Sequence, residues 1–208
     1  MRESTADELE IRAATRADIG VISRIMNYPP EPPMAAMLGA SRAGRLGDIF
    51  VRAGISLKLH HSVVAVLNGA VAGVMECGGR TGPATNASSY LRLLPRVLPA
   101  LGPVTPRAVY GFWLRRRLQF DPVPDAFAIG ELYVDEAMRN RGIGGRLLEH
   151  ADGIARGNWS RMCIETGVTN PARRLYERHG FKVIETKTDA AYERLTGSPG
   201  RILMTKGI

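Results

Sequence analysis

The feature that most constrains this chain is a strand-like run followed by a glycine-rich loop and then a helix. Residues 126–134 read AFAIGELYV, an apolar run typical of a buried strand, and residues 139–145 read RNRGIGG. Glycines let a ligand approach the backbone, and the N–H groups at a helix N-terminus attract negative charge. The segment therefore predicts a site for an anion such as a diphosphate. The predicted helix has one apolar face, formed by Leu147, Leu148, Ala151, Ile154 and Ala155.

Two common phosphate-binding loops do not fit this spacing. A dinucleotide fingerprint starting at Gly142 would need glycine or alanine at position 147, and a P-loop would need Gly-Lys at positions 147 and 148. Leu147 and Leu148 occupy those positions. Both alternatives are therefore excluded in this register.

The N-terminal part of the chain reads as a strand followed by helices. Residues 8–14 are strand-like, and Asp18 is predicted to cap a helix over 19–26. The prolines among residues 29–33 must end that helix, because proline lacks an N–H donor and disfavours a helical residue before it. One or two further helices are expected within 34–59.

Asn68 and Gly69 form the clearest turn signal in the chain. They lie between the β-rich runs 62–67 and 70–76. Both residue types accept positive φ, so the pair predicts a tight β-hairpin.

The segment 78–125 has a different texture, with Gly, Pro and Ser around apolar and basic runs. We expect it to be a mostly helical insertion. The arginines of residues 115–117 lie beside Phe112, Trp113 and Phe120. This cluster is predicted to belong to a half-buried helix with its arginines in solvent, and the alternatives are a nucleic-acid patch or a face that lies on a membrane.

The C-terminal part completes a mixed sheet with helices on its faces. Residues 162–168 read as a strand and residues 171–179 as a helix with proline in its first turn and Gly180 as its C-terminal glycine. Two last strands are predicted near 181–185 and 201–205.

Composition limits the class of protein and its setting. A chain of 208 residues that is 45% hydrophobic can form one domain, or one domain with an insertion. It has neither a long uncharged apolar run nor an apolar N-terminal signal, so we expect no membrane span and a cytoplasmic location. Cys77 and Cys163 lack metal-ligand or redox spacing and should be buried thiols. The net charge of +8 favours anionic partners, which include nucleic acid, acidic membranes and phosphorylated small molecules.

Two motifs in order carry a family resemblance. The R-x-x-G-x-G pattern of Arg139, Gly142 and Gly144 resembles the coenzyme A loop of the GNAT superfamily of N-acyltransferases. Residues 170–181, NPARRLYERHGF, are similar to that family's N-x-x-A-x-x-L-Y-x-x-x-G-F segment, with Ala172 one position early. The resemblance covers residues 126–181 well and the N-terminal elements loosely, but it does not extend to the insertion.

The resemblance implies a fold, a reaction and a set of partners. It implies an α/β (α+β) fold with a mixed, mostly antiparallel central sheet flanked by helices, in a single domain over 1–208. The implied reaction is transfer of an acetyl group from acetyl-CoA (coenzyme A) to a primary amine of a small molecule or peptide, with no metal. A homodimer is the family's habit. Nucleic acid is then not an expected partner.

The resemblance also implies where the cofactor binds. Its pantetheine arm would lie between the strands 129–134 and 162–168, held by the backbone of Leu132 and Val134, and a backbone N–H would polarise the thioester carbonyl. Asn170 would bind the arm, or would cap the following helix instead. The full predicted cofactor set is Leu132, Tyr133, Val134, Arg139, Asn140, Arg141, Gly142, Ile143, Gly144, Gly145, Arg146, Asn170 and Tyr176.

Two side chains are predicted to carry the chemistry. Tyr176 matches the family's tyrosine that gives a proton or hydrogen bond to the departing sulfur. Glu131 is the candidate base that deprotonates the amine, with Glu76 and Glu165 on the adjoining strands as rivals. The histidines at 60, 61, 150 and 179 read as surface or packing residues.

Two other functions remain open from the sequence. A basic module could bind nucleic acid or an anionic surface, with the glycine loop only a tight turn. A family member without turnover could bind acyl-CoA as a sensor. The acceptor amine is not readable, although the arginines near the insertion disfavour a polycation.

Overall fold

The computed structural model describes residues 8–29, 31–54, 57–79 and 87–208. Within these residues the strands form one sheet in the order β1-β2-β3-β4-β5-β7-β6. Among its neighbouring pairs, β4 and β5 run parallel and the others antiparallel. The predicted mixed, mostly antiparallel sheet is confirmed. The strands are β1 Leu9–Ala13, β2 Ser62–Leu67, β3 Ala70–Gly79, β4 Ala126–Val134, β5 Arg161–Gly167, β6 Lys182–Thr188 and β7 Gly200–Gly207.

Helices flank the sheet on both faces. The α-helices are α1 Ile19–Asn27, α2 Pro32–Leu38, α3 Ala40–Arg52, α4 Ala87–Leu101, α5 Thr105–Arg117, α6 Ile143–Ala155, α7 Arg173–Arg178 and α8 Ala190–Thr196. Short 3-10 turns lie at Arg16–Asp18, Leu59–His61, Gly102–Val104 and Glu136–Met138. The sequence did not predict α8, whose seven residues are too few for a clear helical period. The helix predicted over 171–179 begins only at Arg173, because residues 171 and 172 form a turn.

The predicted hairpin is confirmed by its backbone. Asn68 and Gly69 both have positive φ, at 50° and 80°, and join β2 to β3. These values are what a tight turn between right-twisted strands requires.

Asp18 has a different role from the predicted helix cap. Its carboxylate accepts no hydrogen bond from the first turn of α1. It accepts instead from the backbone N–H and hydroxyl of Thr15, at 2.8 Å each, and from the Arg12 guanidinium at 2.8 and 2.9 Å. These bonds, chiefly those from Arg12, hold the pKa of Asp18 well below its usual range.

The largest core lies between the sheet and α6. Ile143, Leu147, Leu148, Ala151 and Ala155 of this helix are buried against the sheet. Ile154, predicted on the same face, is 44% exposed, so that part of the prediction is wrong. Ile154 follows Ala151 by three residues and directly precedes Ala155. The turn of the helix therefore carries its side chain beyond the edge of the buried face.

Helices α4 and α5 occupy the described part of the segment predicted as an insertion, and residues 80–86 of that segment lie outside the described residues. The two helices share an apolar core with α2 and α3. The Arg107 guanidinium fixes α5 in place, since it donates to the carbonyls of Met37 at 2.9 Å, Ala36 at 3.2 Å and Leu195 at 3.3 Å. The segment is therefore packed against α2, α3 and α8.

Candidate active site

The two parallel strands separate part-way along their length. Pairing between β4 and β5 runs from Ala126–Arg161 to Ile129–Ile164 and then stops. Both strands continue beyond it, β4 to Val134 and β5 to Gly167. A gap therefore opens between the two strands where the sequence predicts the pantetheine arm.

A β-bulge at Gly130 decides which side chains face this gap. In the register with β3, Glu131 pairs with Glu76 and Ile129 pairs with Cys77, so Gly130 is an extra residue. Ile129 packs into the core under α6, and strict alternation would send Glu131 there too. The bulge reverses the alternation, and Leu132 and Val134 pack on that core instead.

The opposite face of β4 consequently carries polar groups. Tyr133 packs on the second core beneath α1, and its hydroxyl donates to a carboxylate oxygen of Glu31 at 2.8 Å. Glu131 lies on the same face, two residues earlier. Glu31 directly precedes α2 and was not among the residues singled out from the sequence.

The glycine loop presents a row of backbone donors. Asn140 and Gly142 have positive φ, at 62° and 77°, and this conformation turns the chain into α6. Among the described residues, the N–H groups of Asn140, Gly142, Ile143, Gly144 and Gly145 donate no hydrogen bond, and they lie at the N-terminus of a 13-residue helix. This arrangement fits a diphosphate.

Glycine is needed in this loop for space as well as for conformation. A Cβ on Gly144 would lie 2.9 Å from Leu175 Cδ2, and a Cβ on Gly145 would lie 3.1 Å from His179 Nε2. The first contact comes from α7 and the second from His179, the residue directly after it. A side chain at either position would have to displace the end of the facing side chain.

The other predicted cofactor residues surround the loop. The Arg139 guanidinium donates to the Val134 carbonyl at 3.4 Å, and that of Arg146 donates to Glu149 at 3.2 Å. Arg141 is exposed beside them. The Asn170 side chain accepts from the Ala172 N–H at 2.9 Å, a hydrogen bond inside the turn that precedes α7.

Tyr176 on α7 is 4% exposed, and its ring packs edge-on against Phe181 at 6.2 Å between centroids. In the described chain its hydroxyl makes no hydrogen bond, and no buried side-chain oxygen is left without a partner. The hydroxyl oxygen is therefore not fully buried. Burial raises the pKa of Tyr176 well above its usual value, with smaller effects from Glu131 and Glu31, so the phenol keeps its proton.

Of the three candidate carboxylates, Glu131 is the one without a hydrogen bond or ion pair in the described chain. Glu76 accepts the Lys58 N–H at 3.0 Å, and Glu165 pairs with Arg201 at 3.2 Å. Burial, followed by the charge of Glu31, raises the pKa of Glu131 to about 8. A carboxylate with this pKa can accept a proton near neutral pH.

Arg115 departs from its predicted place in solvent. Its side chain is 34% exposed, and one guanidinium nitrogen lies 4.0 Å from Glu31. Ala108, Gly111 and Leu118 are buried on the same helix, and the 3–4–3 spacing puts Arg115 on their face. That spacing is the sequence signal that could have identified it. Arg116 and Arg117 are exposed as predicted.

Comparison with known proteins agrees with this geometry. Residues 108–183 match the sequence model of a family described as acetyltransferase (GNAT) domain. The matched segment is a GNAT acetyltransferase domain. The fold of the chain matches that of solved N-acetyltransferases along nearly its whole length.

Three solved structures illustrate the likeness of fold. A GCN5-related N-acetyltransferase from Kribbella flavida superposes with a TM-score of 0.60 at 19% identity, covering 96% of this chain and 98% of that one. A histone acetyltransferase HPA2 and related acetyltransferase from Corynebacterium glutamicum gives 0.61 at 18%, covering 96% of each. A polyamine N-acetyltransferase from Drosophila melanogaster gives 0.56 at 15%, covering 97% and 100%. No curated protein sequence matches the chain.

Among the described residues, no helix has the length and apolar character of a membrane span. No group of three or more His, Cys, Asp or Glu side chains in these ranges is placed to hold a metal ion. Cys77 and Cys163 are free, buried thiols.

Proposed function

We propose that this chain transfers an acetyl group from acetyl-CoA to a primary amine, as one domain over residues 1–208 with an insertion at about 78–125. One observation carries the proposal. The strands β4 and β5 separate beyond Ile129 and Ile164, and a row of unpaired amides begins just past the end of β4. An extended arm with a diphosphate at its end fits this combination. The two buried thiols suit the cytoplasm as the setting.

The donor's diphosphate would bind to the amides of Asn140 and of residues 142–145, with Arg139, Arg141 and Arg146 contributing positive charge at the rim. The pantetheine arm would pair with the free backbone edge of β4 at residues 132–134. The thioester would then lie near the bulge, between Glu131 and Tyr176.

The two side chains act on opposite sides of the reaction. Glu131 would take the proton from the acceptor ammonium, which leaves a nucleophilic amine. Tyr176 would donate to the sulfur as the carbon–sulfur bond breaks. The raised pKa keeps the Tyr176 phenol protonated, so its hydroxyl is available to donate to sulfur, and a carboxylate with a pKa of about 8 suits proton acceptance.

Calorimetric titration with acetyl-CoA, combined with a free-thiol assay on a panel of amines, tests the proposal. We expect saturable binding and acceptor-dependent thiol release. Binding without thiol release would indicate a sensor. Salt-dependent binding to DNA or RNA, with no binding of acetyl-CoA, would indicate a basic binding module instead.

A further inference from the structure

A half-buried arginine, Arg115, lies beside Glu31 and close to the candidate base Glu131. The Arg115 guanidinium has five N–H donors, and none of them makes a hydrogen bond within the described part of the chain. Its nearest carboxylate, Glu31, is 4.0 Å away and already accepts from the Tyr133 hydroxyl. No fully buried side-chain nitrogen there lacks a hydrogen-bond partner, so the unbonded donors of Arg115 are accessible to solvent.

A short chain of contacts links Arg115 to the candidate base. Glu31 joins Arg115 to Tyr133, and Tyr133 lies two residues after Glu131 on the same face of β4. Residues two apart on a strand are separated by about 7 Å. The Arg115 charge is near enough to oppose the rise that burial causes in the pKa of Glu131.

The charged side chains around Arg115 favour an acceptor that carries both a positive and a negative group. Arg201, 16% exposed, is paired with Glu165 at 3.2 Å, and Glu31 is shared between Tyr133 and Arg115. Arg115 and Arg201 are also close enough to repel each other. An anionic group between them would relieve that repulsion, whereas a second ammonium would add to it.

We propose that Arg115 binds the carboxylate of an acceptor that carries its primary amine a few bonds away, so that the acceptors are small amino acids. The inference rests on the proposed acetyl transfer. The amine nitrogen forms a bond to the acetyl carbon as the carbon–sulfur bond breaks. The ammonium loses one proton to Glu131 before the nitrogen attacks, and the nitrogen releases a second proton to solvent as the amide forms. Tyr176 gives its proton to sulfur and recovers one from solvent, so the products are an N-acetylamino acid and the free thiol.

The test compares matched acceptors in the thiol-release assay. The acceptors are L-amino acids, the same compounds with the carboxylate replaced by an amide, and the amines left when the carboxylate is removed. The wild-type protein should prefer each amino acid over its amide and over its decarboxylated amine by about 10-fold to 100-fold in kcat/KM. This is the range expected for one charge-assisted hydrogen bond. The amides also stand in for peptide N-termini, so a preference for them would point to a peptide acceptor and overturn the inference.

Two variants assign the preference to one side chain. Arg115→Gln should bring the ratio of amino acid to amine close to one, with acetyl-CoA affinity unchanged by calorimetry and folding confirmed by thermal unfolding. Arg116→Gln, the exposed neighbour, should keep the wild-type ratio. A ratio retained in Arg115→Gln would contradict the inference.

Failure of the inference is separable from failure of the proposed function. Turnover of amines without a carboxylate preference would sink the inference and leave acetyl transfer standing. Binding of acetyl-CoA without turnover of any of these amino acids would also overturn it. Absence of acetyl-CoA binding would remove the proposed function itself.

Discussion

At the scale of single residues, the environment of Glu131 determines when it can act as a base. Its pKa of about 8 means that the carboxylate is the minor form at pH 7. We expect kcat/KM to rise with pH up to about 8 and then to level off, whichever acceptor is used. Glu131→Gln should lower kcat/KM by about 100-fold or more and abolish this rise with pH. A rise that shifts with the pKa of the acceptor amine and persists in Glu131→Gln would show that only the amine titrates.

The same pKa makes a prediction about folding that does not depend on activity. Because the folded protein holds the Glu131 proton more tightly than the unfolded chain, this group favours folding below its ordinary pKa of 4.5. That contribution is lost as the pH rises through about 8. The Tm of wild type should therefore fall relative to that of Glu131→Gln between pH 5 and pH 8.5. A constant difference in Tm across this range would contradict the raised pKa.

Tyr176 offers a second test at this scale. Tyr176→Phe keeps the ring contact with Phe181 and removes only the hydroxyl. We expect kcat to fall by about 100-fold or more, while the Kd for acetyl-CoA changes little. Tyr110→Phe, an exposed tyrosine on α5, should leave both unchanged. Unaltered turnover in Tyr176→Phe would show that the tyrosine only packs.

At the scale of helices and strands, the sequence predicts the features that a local pattern determines. It does not predict those that depend on packing between elements. The Asn68-Gly69 turn and the strand 126–134 follow from propensity and period alone. The bulge at Gly130 has a weak signal, a glycine inside a strand, yet it decides that Glu131 faces the cleft. The sequence predicts Arg115 in solvent, because the run of three arginines hides the regular spacing of the buried residues of α5.

The junction of the glycine loop with α6 carries an element-scale prediction. A valine at Gly144 would meet Leu175 of α7, so the amides could no longer converge on a ligand. Gly144→Val should weaken acetyl-CoA binding by more than about 10-fold. Gly153→Val is the matched control on the exposed side of the same helix, where no atom lies within 4 Å of the added Cβ. Equal affinities in the two variants would contradict the role of the loop.

At the scale of the whole molecule, the sheet brings together residues that the sequence keeps far apart. Glu31, Arg115, Glu131 and Arg201 lie close to one another, although they come from the residue before α2, from α5, from β4 and from β7. The cofactor side could be read from the sequence because its residues are nearly contiguous and have a recognisable spacing. The acceptor side could not, because it depends on how α2 and α5 pack over the sheet.

The central claim is that the amides after Val134 hold a diphosphate. Calorimetry of the wild-type protein with coenzyme A, and with pantetheine, which lacks the diphosphate and the phosphorylated adenosine attached to it, tests this most directly. We expect coenzyme A to bind at least about 10-fold more tightly than pantetheine, because several charge-assisted hydrogen bonds to backbone N–H groups are lost with the diphosphate. Equal affinity for the two molecules, or no binding of either, would contradict the account.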